Sequence, residues 1–546
     1  MNKIFKVIWS KSKQCYIVVS EIAKNKTGKK KIVVASILAA LAMQSGMITD
    51  VMAADPPSAR LADAAEAAGT NGVAIGSSAR SKSNQSVAIG YFSVAQAPGA
   101  NPENPATAVG AGANANGAGT VALGLSANAT GANTVALGGG SEGGKYKTEA
   151  TGARATAISF NAKASGSDSI ALGNATVASD EKAIAIGSDS KATDIGTTAL
   201  GRSSAATGAS ATALGSLTSA TGTLATAVGM QASASGNESL AIGTTASATS
   251  GRSLAVGTNS KATGATAVAV GSGSGGSGPL GFAGSLNSTA GVVNTNRTVN
   301  YATTAEGDNA VALGFYANAK NSGVAVGQRA LAATGGVAIG KGVLEDTGNN
   351  YAGGVVIGQD SATLGPYSLA MGFNAFASGS TSMAIGHTVS ADGGFAVAMG
   401  RKVSASGTST AIGHHATATN GGLAIGSQEN DASNDRTTAS AKGAVAIGKN
   451  TKATSEDAVA IGTNAQATLQ GAVALGSGST TATGATNQGS ATINGITYNF
   501  AGATGNPNMQ VSVGSAGATR QIKNVAAGEV SATSTDAING SQLYAV

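Results

Sequence analysis

The 546-residue chain has one Cys, one Trp, eight Pro and three His, and only 3% of its residues are aromatic and 11% charged. A single cysteine closes no disulfide within the chain. So few aromatics cannot furnish the several packed cores that an enzyme of this length would need. Eight prolines without a Gly-X-Y period exclude a collagen triple helix. A formal net charge of +6 with 42% apolar residues does not fit simple disorder. What is abundant is glycine, 80 residues, about twice average usage. A repeat architecture satisfies all of these constraints.

The first fifty residues read as an address. Residues 1–53 hold nine Lys and two acids, Glu21 and Asp50. An apolar run from Ile32 to Met43 follows, then Val51-Met52-Ala53-Ala54, with small residues placed for signal peptidase. This is a secretory signal with cleavage after Ala53 or Ala54. A membrane anchor is the competing reading, but an apolar run of about 12 residues falls short of the ~20 needed to span a bilayer. The opening Met1-Asn2-Lys3-Ile4-Phe5-Lys6-Val7-Ile8-Trp9-Ser10, with Val18 to Lys24, resembles the extended signal peptide region of large Gram-negative autotransporters. The resemblance implies export to the outer surface.

Removing this segment changes the charge arithmetic. The 33 basic residues less nine, and the 27 acidic less two, leave 24 and 25, a net charge of −1. Cys15 and Trp9 also depart with the leader. The remaining chain has no thiol nucleophile and no basic footprint for nucleic acid.

The body repeats one four-residue phrase: apolar or Thr, small, apolar, Gly. Examples are Val73-Ala74-Ile75-Gly76, Val121-Ala122-Leu123-Gly124 and Leu254-Ala255-Val256-Gly257. Twenty-five such glycines lie between Gly76 and Gly476; fifteen of the 24 intervals are 14 residues, four are 13 and five are longer. A fixed short period predicts a solenoid of stacked coils. Within Thr244 to Gly257, Leu254-Ala255-Val256 has two apolar faces and so predicts a strand covered on both sides. Thr245-Ala246-Ser247-Ala248-Thr249 has one apolar face and predicts a strand with one side in water. Gly251 and Gly257 are the expected corners, where positive φ is needed. The Leu/Val face is expected to pack inside the coil. The Ala face then lacks a cover along the rod's length, more apolar surface than a monomer tolerates, and predicts self-association, with small Ala permitting close approach around an axis.

The phrases Gln85-Ser86-Val87-Ala88-Ile89-Gly90, Asn133 to Gly138 and Asp168 to Gly173 resemble the head repeat of YadA-like trimeric autotransporter adhesins. That resemblance implies an all-β head: a left-handed parallel β-roll, a solenoid of about 14-residue coils, in a homotrimer. Twenty-five coils at about 4.8 Å each make a rod on the order of 120 Å. The organisation expected is a signal over 1–53, a cap over 54–70, head repeats over 71–477, a β connector over 478–518, and neck and stalk start over 519–546. Longer intervals mark insertions at 101–105, 139–156, 272–309 (the largest), 341–351 and 428–442; they read as binding loops or as tolerated surface insertions.

Past the repeats, Ile493 to Phe500 and Met509 to Val513 read as strands, with Asn494-Gly495 as a turn. Asp536-Ala537-Ile538-Asn539-Gly540-Ser541-Gln542-Leu543 resembles the neck motif joining head to coiled-coil stalk in the same family, with Ser534 or Thr535 as the expected helix cap. The family's outer-membrane anchor does not follow, so an N-terminal fragment or truncated reading frame is expected.

Chemistry is sparse. Gly271 to Gly276 satisfies G-x-G-x-x-G without a strand–helix context, and Gly335 to Lys341 and Gly443 to Lys449 start like a P-loop but lack its Ser/Thr. All three arise because the repeat spaces glycines. His387, His414 and His415 read as exposed corner residues, metal capture being the alternative. No catalytic constellation, cofactor or metal site is expected. The function expected is a cell-surface adhesin with multivalent contacts. The resemblance implies host extracellular matrix, collagen-like, or cell-surface ligands, with Ser86, Val87, Ala88, Ile89 and Gly90 as the ligand-binding type of coil; the same residues also read as a plain folding requirement. The alternative is a non-adhesive structural or ice-binding solenoid, which would need a regular Thr ladder where Ser247/Thr249 and Lys261/Thr263 vary. A carbohydrate-active β-helix would need longer coils and clustered acids.

Overall fold

A computed structural model describes residues 5–10, 15–20, 59–61, 64–98, 104–141, 145–274, 277–279, 298–345, 353–427 and 435–546. Phe5–Ser10 and Cys15–Ser20 form an antiparallel pair. The apolar run from Ile32 and the cleavage position at Ala53 and Ala54 lie outside the described residues. From Ala59–Leu61 onward the chain winds into one parallel hydrogen-bonded system of 52 strands.

Each coil contributes one strand to each of two ladders. Leu254–Val256 stacks on Leu240–Ile242 and Val268–Val270, while Ser247–Ala248 stacks on Ser233–Ala234 and Lys261–Ala262. The pairing runs one coil to the next in unbroken register, so every residue meets its own repeat equivalent.

The two faces of the first ladder are the reverse of the expectation. Ala255 is 0% exposed and points into the coil, opposite Ala246 and Ala248, while Leu254 and Val256 point outward and are only half-buried. The same holds from Val73–Ile75 to Val473–Leu475. Separate sheets with mixed side chains pack about 10 Å apart. A 14-residue coil with two tight corners brings its strands closer, and Ala on Ala fills most of that gap, with Val343, Val356, Val389 and Val403 among the larger residues that also fit. The core is therefore an alanine column running the length of the roll.

Serine and threonine line the inside of the corners. Ser253 Oγ donates to the Ser250 carbonyl at 2.6 Å, and Ser260 Oγ to the Gly257 carbonyl at 2.9 Å. These buried hydroxyls are satisfied within the turn, so they cost little in a dry interior.

The corners themselves are asymmetric. Gly243 has φ +126, and a Cβ there would lie 2.7 Å from the Gly257 carbonyl. Glycine is required at that corner both for its backbone and for the close approach of the next coil. At the other corner Gly251 is not in the left-handed region; Arg252 takes it instead, with φ 56, and a Cβ on Gly251 would meet only the Asn237 carbonyl, at 3.8 Å. Ser159, at φ 104, occupies one repeat-glycine position and so adds a coil within the longest interval but one.

Insertions leave the ladders intact. Val268 pairs with Val311 and Lys261 with Thr304 across the largest one, and Leu423 with Val445 across another. Thr304–Ala305, Glu149–Ala150 and Thr438–Ala439 belong to the roll, so those insertions are shorter than the spacing suggests. In the connector, Ser490–Ile493 and Ile496–Asn499 form a hairpin around Asn494 (φ 51) and Gly495 (φ 83), the two positive φ values of a type I′ turn. Val511–Ser512 then stacks in parallel on Val473–Leu475, the last coil. Among the described residues no helix is long and apolar enough to cross a membrane, which says nothing of a β-barrel.

Gly243→Ala and Gly251→Ala test the asymmetry. The first is expected to lower the thermal midpoint through coil separation and backbone strain. The second is expected to leave it unchanged or raise stability by about 0.4–1 kcal/mol; circular dichroism melting of both distinguishes them.

Candidate functional site

Three surfaces follow from this geometry. The first is the outward face of the first ladder, an in-register stripe of Leu, Val, Ile and Thr. Leu172, Leu200, Leu214 and Ile242 are each more than a third exposed, one coil after another save for Ile186 and Val228, which are half-buried. Continuous apolar surface on this scale marks an interface.

The second is the pair of corners, where left-handed residues of successive coils stack at 14-residue spacing. Arg154 donates through Nε and Nη2 to both carboxylate oxygens of Asp168, at 2.5 and 2.7 Å. Those hydrogen bonds hold the Asp168 carboxyl below the usual carboxylate range. Next in line Lys182 pairs with Glu181 at 2.7 Å, and its ammonium is held above its ordinary value by that bond. Elsewhere the corners carry rings: Tyr91 and Phe92 after Gly90, Phe315 and Tyr316 after Gly314, Phe373 stacked on His387 at 5.0 Å.

The third surface is the neck. Arg520 reaches back to the last coil, donating to the Val513 carbonyl at 2.6 Å, Ser479 Oγ at 3.0 Å and the Ser477 carbonyl. The short helix Gly540–Tyr544 is capped by Asn539, not by Ser534 or Thr535. Asn539 and Gln542 stand three apart and form a capping box, whereas Ser534 Oγ is engaged by the Asp536 N–H in a turn. Gln542 also holds both backbone groups of Gly528, at 3.0 and 2.6 Å, Asn539 Nδ2 donates to the Val525 carbonyl at 3.1 Å, and Asp536 accepts from the Glu529 N–H. Polar residues of the motif thus pin the preceding segment. Ile538 and Leu543 stay exposed, as do Ile522 and Val530. Ala537, Gly540 and Ser541 complete the turn, Ser541 Oγ donating to Asn539 Oδ1.

The remaining sequence candidates fall into place on the coil. Ser86 and Ala88 are inside it, Ser86 Oγ accepting from the Ala106 N–H at 3.0 Å; Val87 and Ile89 join the outward stripe and Gly90 is a corner. In Gly335 to Lys341 and Gly443 to Lys449 the glycines flank the strands Val337–Ile339 and Val445–Ile447, so neither segment wraps a phosphate. His387 is an exposed corner residue beside Phe373, and His414 Nε2 lies 3.0 Å from Arg401 Nη1. His415 is buried, contrary to the expected exposed corner, because its ring turns in against His414 at 4.7 Å. Among the described residues no group of three His, Cys, Asp or Glu could hold a metal ion. Sequence reading missed the Arg520 clamp and the Arg154–Asp168 pair. The 14-residue separation of opposite charges at equivalent positions was the available signal for the pair.

Three family models match the chain. The extended signal peptide of type V secretion systems covers residues 1–47, the YadA head domain repeat recurs between 67 and 479, and the coiled stalk of trimeric autotransporter adhesins covers 521–546. The head-repeat matches together span just over half of the chain. The chain belongs to the YadA-like trimeric autotransporter adhesin family, an exported cell-surface family of adhesins and not of enzymes. A 55-residue stretch is 62% identical to the autotransporter adhesin BtaE of Brucella suis, covering 10% of this chain and 7% of that one. The solved C-terminal YadA-like domain of a Burkholderia pseudomallei protein is 57% identical over 17% of this chain and 42% of that chain, with a TM-score of 0.16.

Two outcomes follow from the polar contacts. Gln542→Ala is expected to release Gly528 and to weaken the helix start by about 1 kcal/mol, read as faster amide exchange over 540–544 with the roll unchanged. The Asp168 carboxyl should titrate below the ordinary Asp value of about 3.9. The pair's small contribution is then full above that value and is lost as pH falls through the depressed one. Carboxyl-carbon NMR should show the depression vanish in Arg154→Ala.

Proposed function

We propose that this chain is one of three in a homotrimeric head that attaches a bacterium to host cells or extracellular matrix. The observation that carries the reading is the aliphatic stripe along the first ladder. Nothing else in the coil covers it, and two further copies of the same roll match it rung for rung. Stacking identical coils presents the same groups at fixed spacing on three sides, so weak contacts add by avidity. The exposed apolar residues of the neck support the same three-fold closure, with the stalk carrying the head away from the cell surface.

The Ser86–Gly90 phrase serves this function through assembly. Ser86 and Ala88 build the coil and Val87 and Ile89 face the neighbouring chains. Matrix contact, including collagen-like ligands, falls to the corners and the second ladder, where polar and aromatic side chains reach solvent.

Residues 54–546 are expected to scatter light as a species of three times the chain mass. A Leu240→Glu/Val256→Glu variant is expected to give monomers and to lose attachment to collagen-coated surfaces and host cells. A wild-type monomer that still attaches would remove the basis of the reading.

A further inference from the structure

Aromatic side chains are scarce in this chain and its core is mostly alanine, so most rings of the roll are free of packing duty; Phe376, buried beside Leu331 and Leu344, is not. Four of them stand at one corner of the roll, immediately after the repeat glycine, where Tyr91, Phe160, Phe315 and Phe373 occupy equivalent positions; Tyr367 and Phe395 lie at the other corner. Tyr91 and Phe92 show the arrangement most clearly. They are 58% and 51% exposed, and their rings meet edge to face at 4.4 Å.

Consecutive rungs at this corner are defined by backbone bonds: Phe92 N–H to the Ser77 carbonyl, Gly112 N–H to the Tyr91 carbonyl at 2.7 Å, and Ser126 N–H to the Ala111 carbonyl at 2.8 Å. The rung beyond the rings therefore carries only Ala111 and Gly112, and the next carries Leu125 and Ser126. A Cβ on Gly112 would meet nothing closer than Ser126 Oγ, at 3.4 Å. The result is a notch one rung wide, with aromatic rings on one wall, Leu125 on the other, and a hydroxyl at its edge. Two rungs span about 9.6 Å. Two van der Waals contacts of about 3.5–4.0 Å each leave room for one saturated ring standing between the walls.

We propose that this aromatic corner binds neutral hexopyranose units of surface glycans. Galactose-type sugars fit best, because their axial hydroxyl leaves a contiguous C–H face for the rings while the remaining hydroxyls meet serine and backbone groups. The size of the patch selects this partner class: a stable protein interface buries about 800 Å² on each side, whereas two aromatic side chains offer about 150–250 Å² each. The absence of charged residues on these rungs selects a neutral ligand. Three copies per head, and rings recurring at the same corner, convert a weak single contact into avidity. The inference rests on the adhesin reading and names its ligand class.

The test uses trimeric head, lactose-coated surfaces and free lactose as the probes, with Tyr91→Ala/Phe92→Ala as the variant. The wild type should bind the lactose surface and be displaced by free lactose. The variant should bind at least ten-fold more weakly at equal trimer content and equal melting temperature. Equal binding by the variant overturns the inference. So does a variant that loses trimer or melts early, since the rings then belong to the seam between chains. If wild-type head adheres to host cells but neither lactose nor periodate oxidation of cell glycans changes that, the glycan inference falls and the adhesin reading stands. If it adheres to no cells and no matrix while still binding lactose, the adhesin reading falls and the site stands.

Discussion

The contact on which the rest of the structure depends is alanine against alanine across a single coil. Ala255 faces Ala246 and Ala248 at a separation that suits small side chains, with Val356, Val343, Val389 and Val403 as the larger residues at equivalent inward positions. Interiors are packed to crystal-like density, so a change of a few methylenes at this column is felt by the coils above and below. The same tightness sends the Leu, Val and Ile of the first ladder outward, Val356 excepted. An aliphatic stripe in water is the direct result, and with it the demand for neighbouring chains. The exposure of that stripe is a consequence of coil thickness.

A coil so thin must also turn sharply, and the two corners solve this differently. One uses glycine, because the next coil's carbonyl sits where a Cβ would be, as at Gly243. The other needs no positive-φ glycine and places ordinary residues such as Arg252, Asp168 or Leu224 in the left-handed region, as the first corner also does at Thr245. The strain of those residues is offset by a ladder hydrogen bond from each, for instance Arg252 N–H to the Asn237 carbonyl at 2.8 Å. That second corner carries charge pairs such as Arg154 with Asp168, while exposed rings stand at both corners, Tyr91 and Phe315 after the repeat glycine and Tyr367 and Phe395 at the second. Insertions obey the same logic: they leave from corners, and Lys261 still pairs with Thr304 although the two are 43 positions apart instead of 14.

The ends of the roll need different chemistry, since an open ladder exposes unpaired backbone groups. At the C-terminal end Val511–Ser512 covers the last long strand, and Arg520 fills the carbonyls that a further coil would have satisfied. The neck motif continues this by hydrogen bonding its own preceding segment through Asp536, Asn539 and Gln542. Its apolar members are left pointing outward, like those of the roll.

The period, the strand positions, the repeat-glycine corner, the Asn494–Gly495 turn and the neck motif were all legible in residue order. Each depends on local spacing and on backbone preferences that a single stretch of chain expresses by itself. The orientation of Leu254-Ala255-Val256 was not legible, because both of its faces are apolar and alternation alone distinguishes two faces without saying which is inside. The distance between facing strands decided it. The same holds for Arg252 in place of Gly251 at the second corner, for Asn539 as the helix cap and for Arg520 against the final coil. Those depend on which carbonyl stands opposite, and that is known only once the coils are stacked.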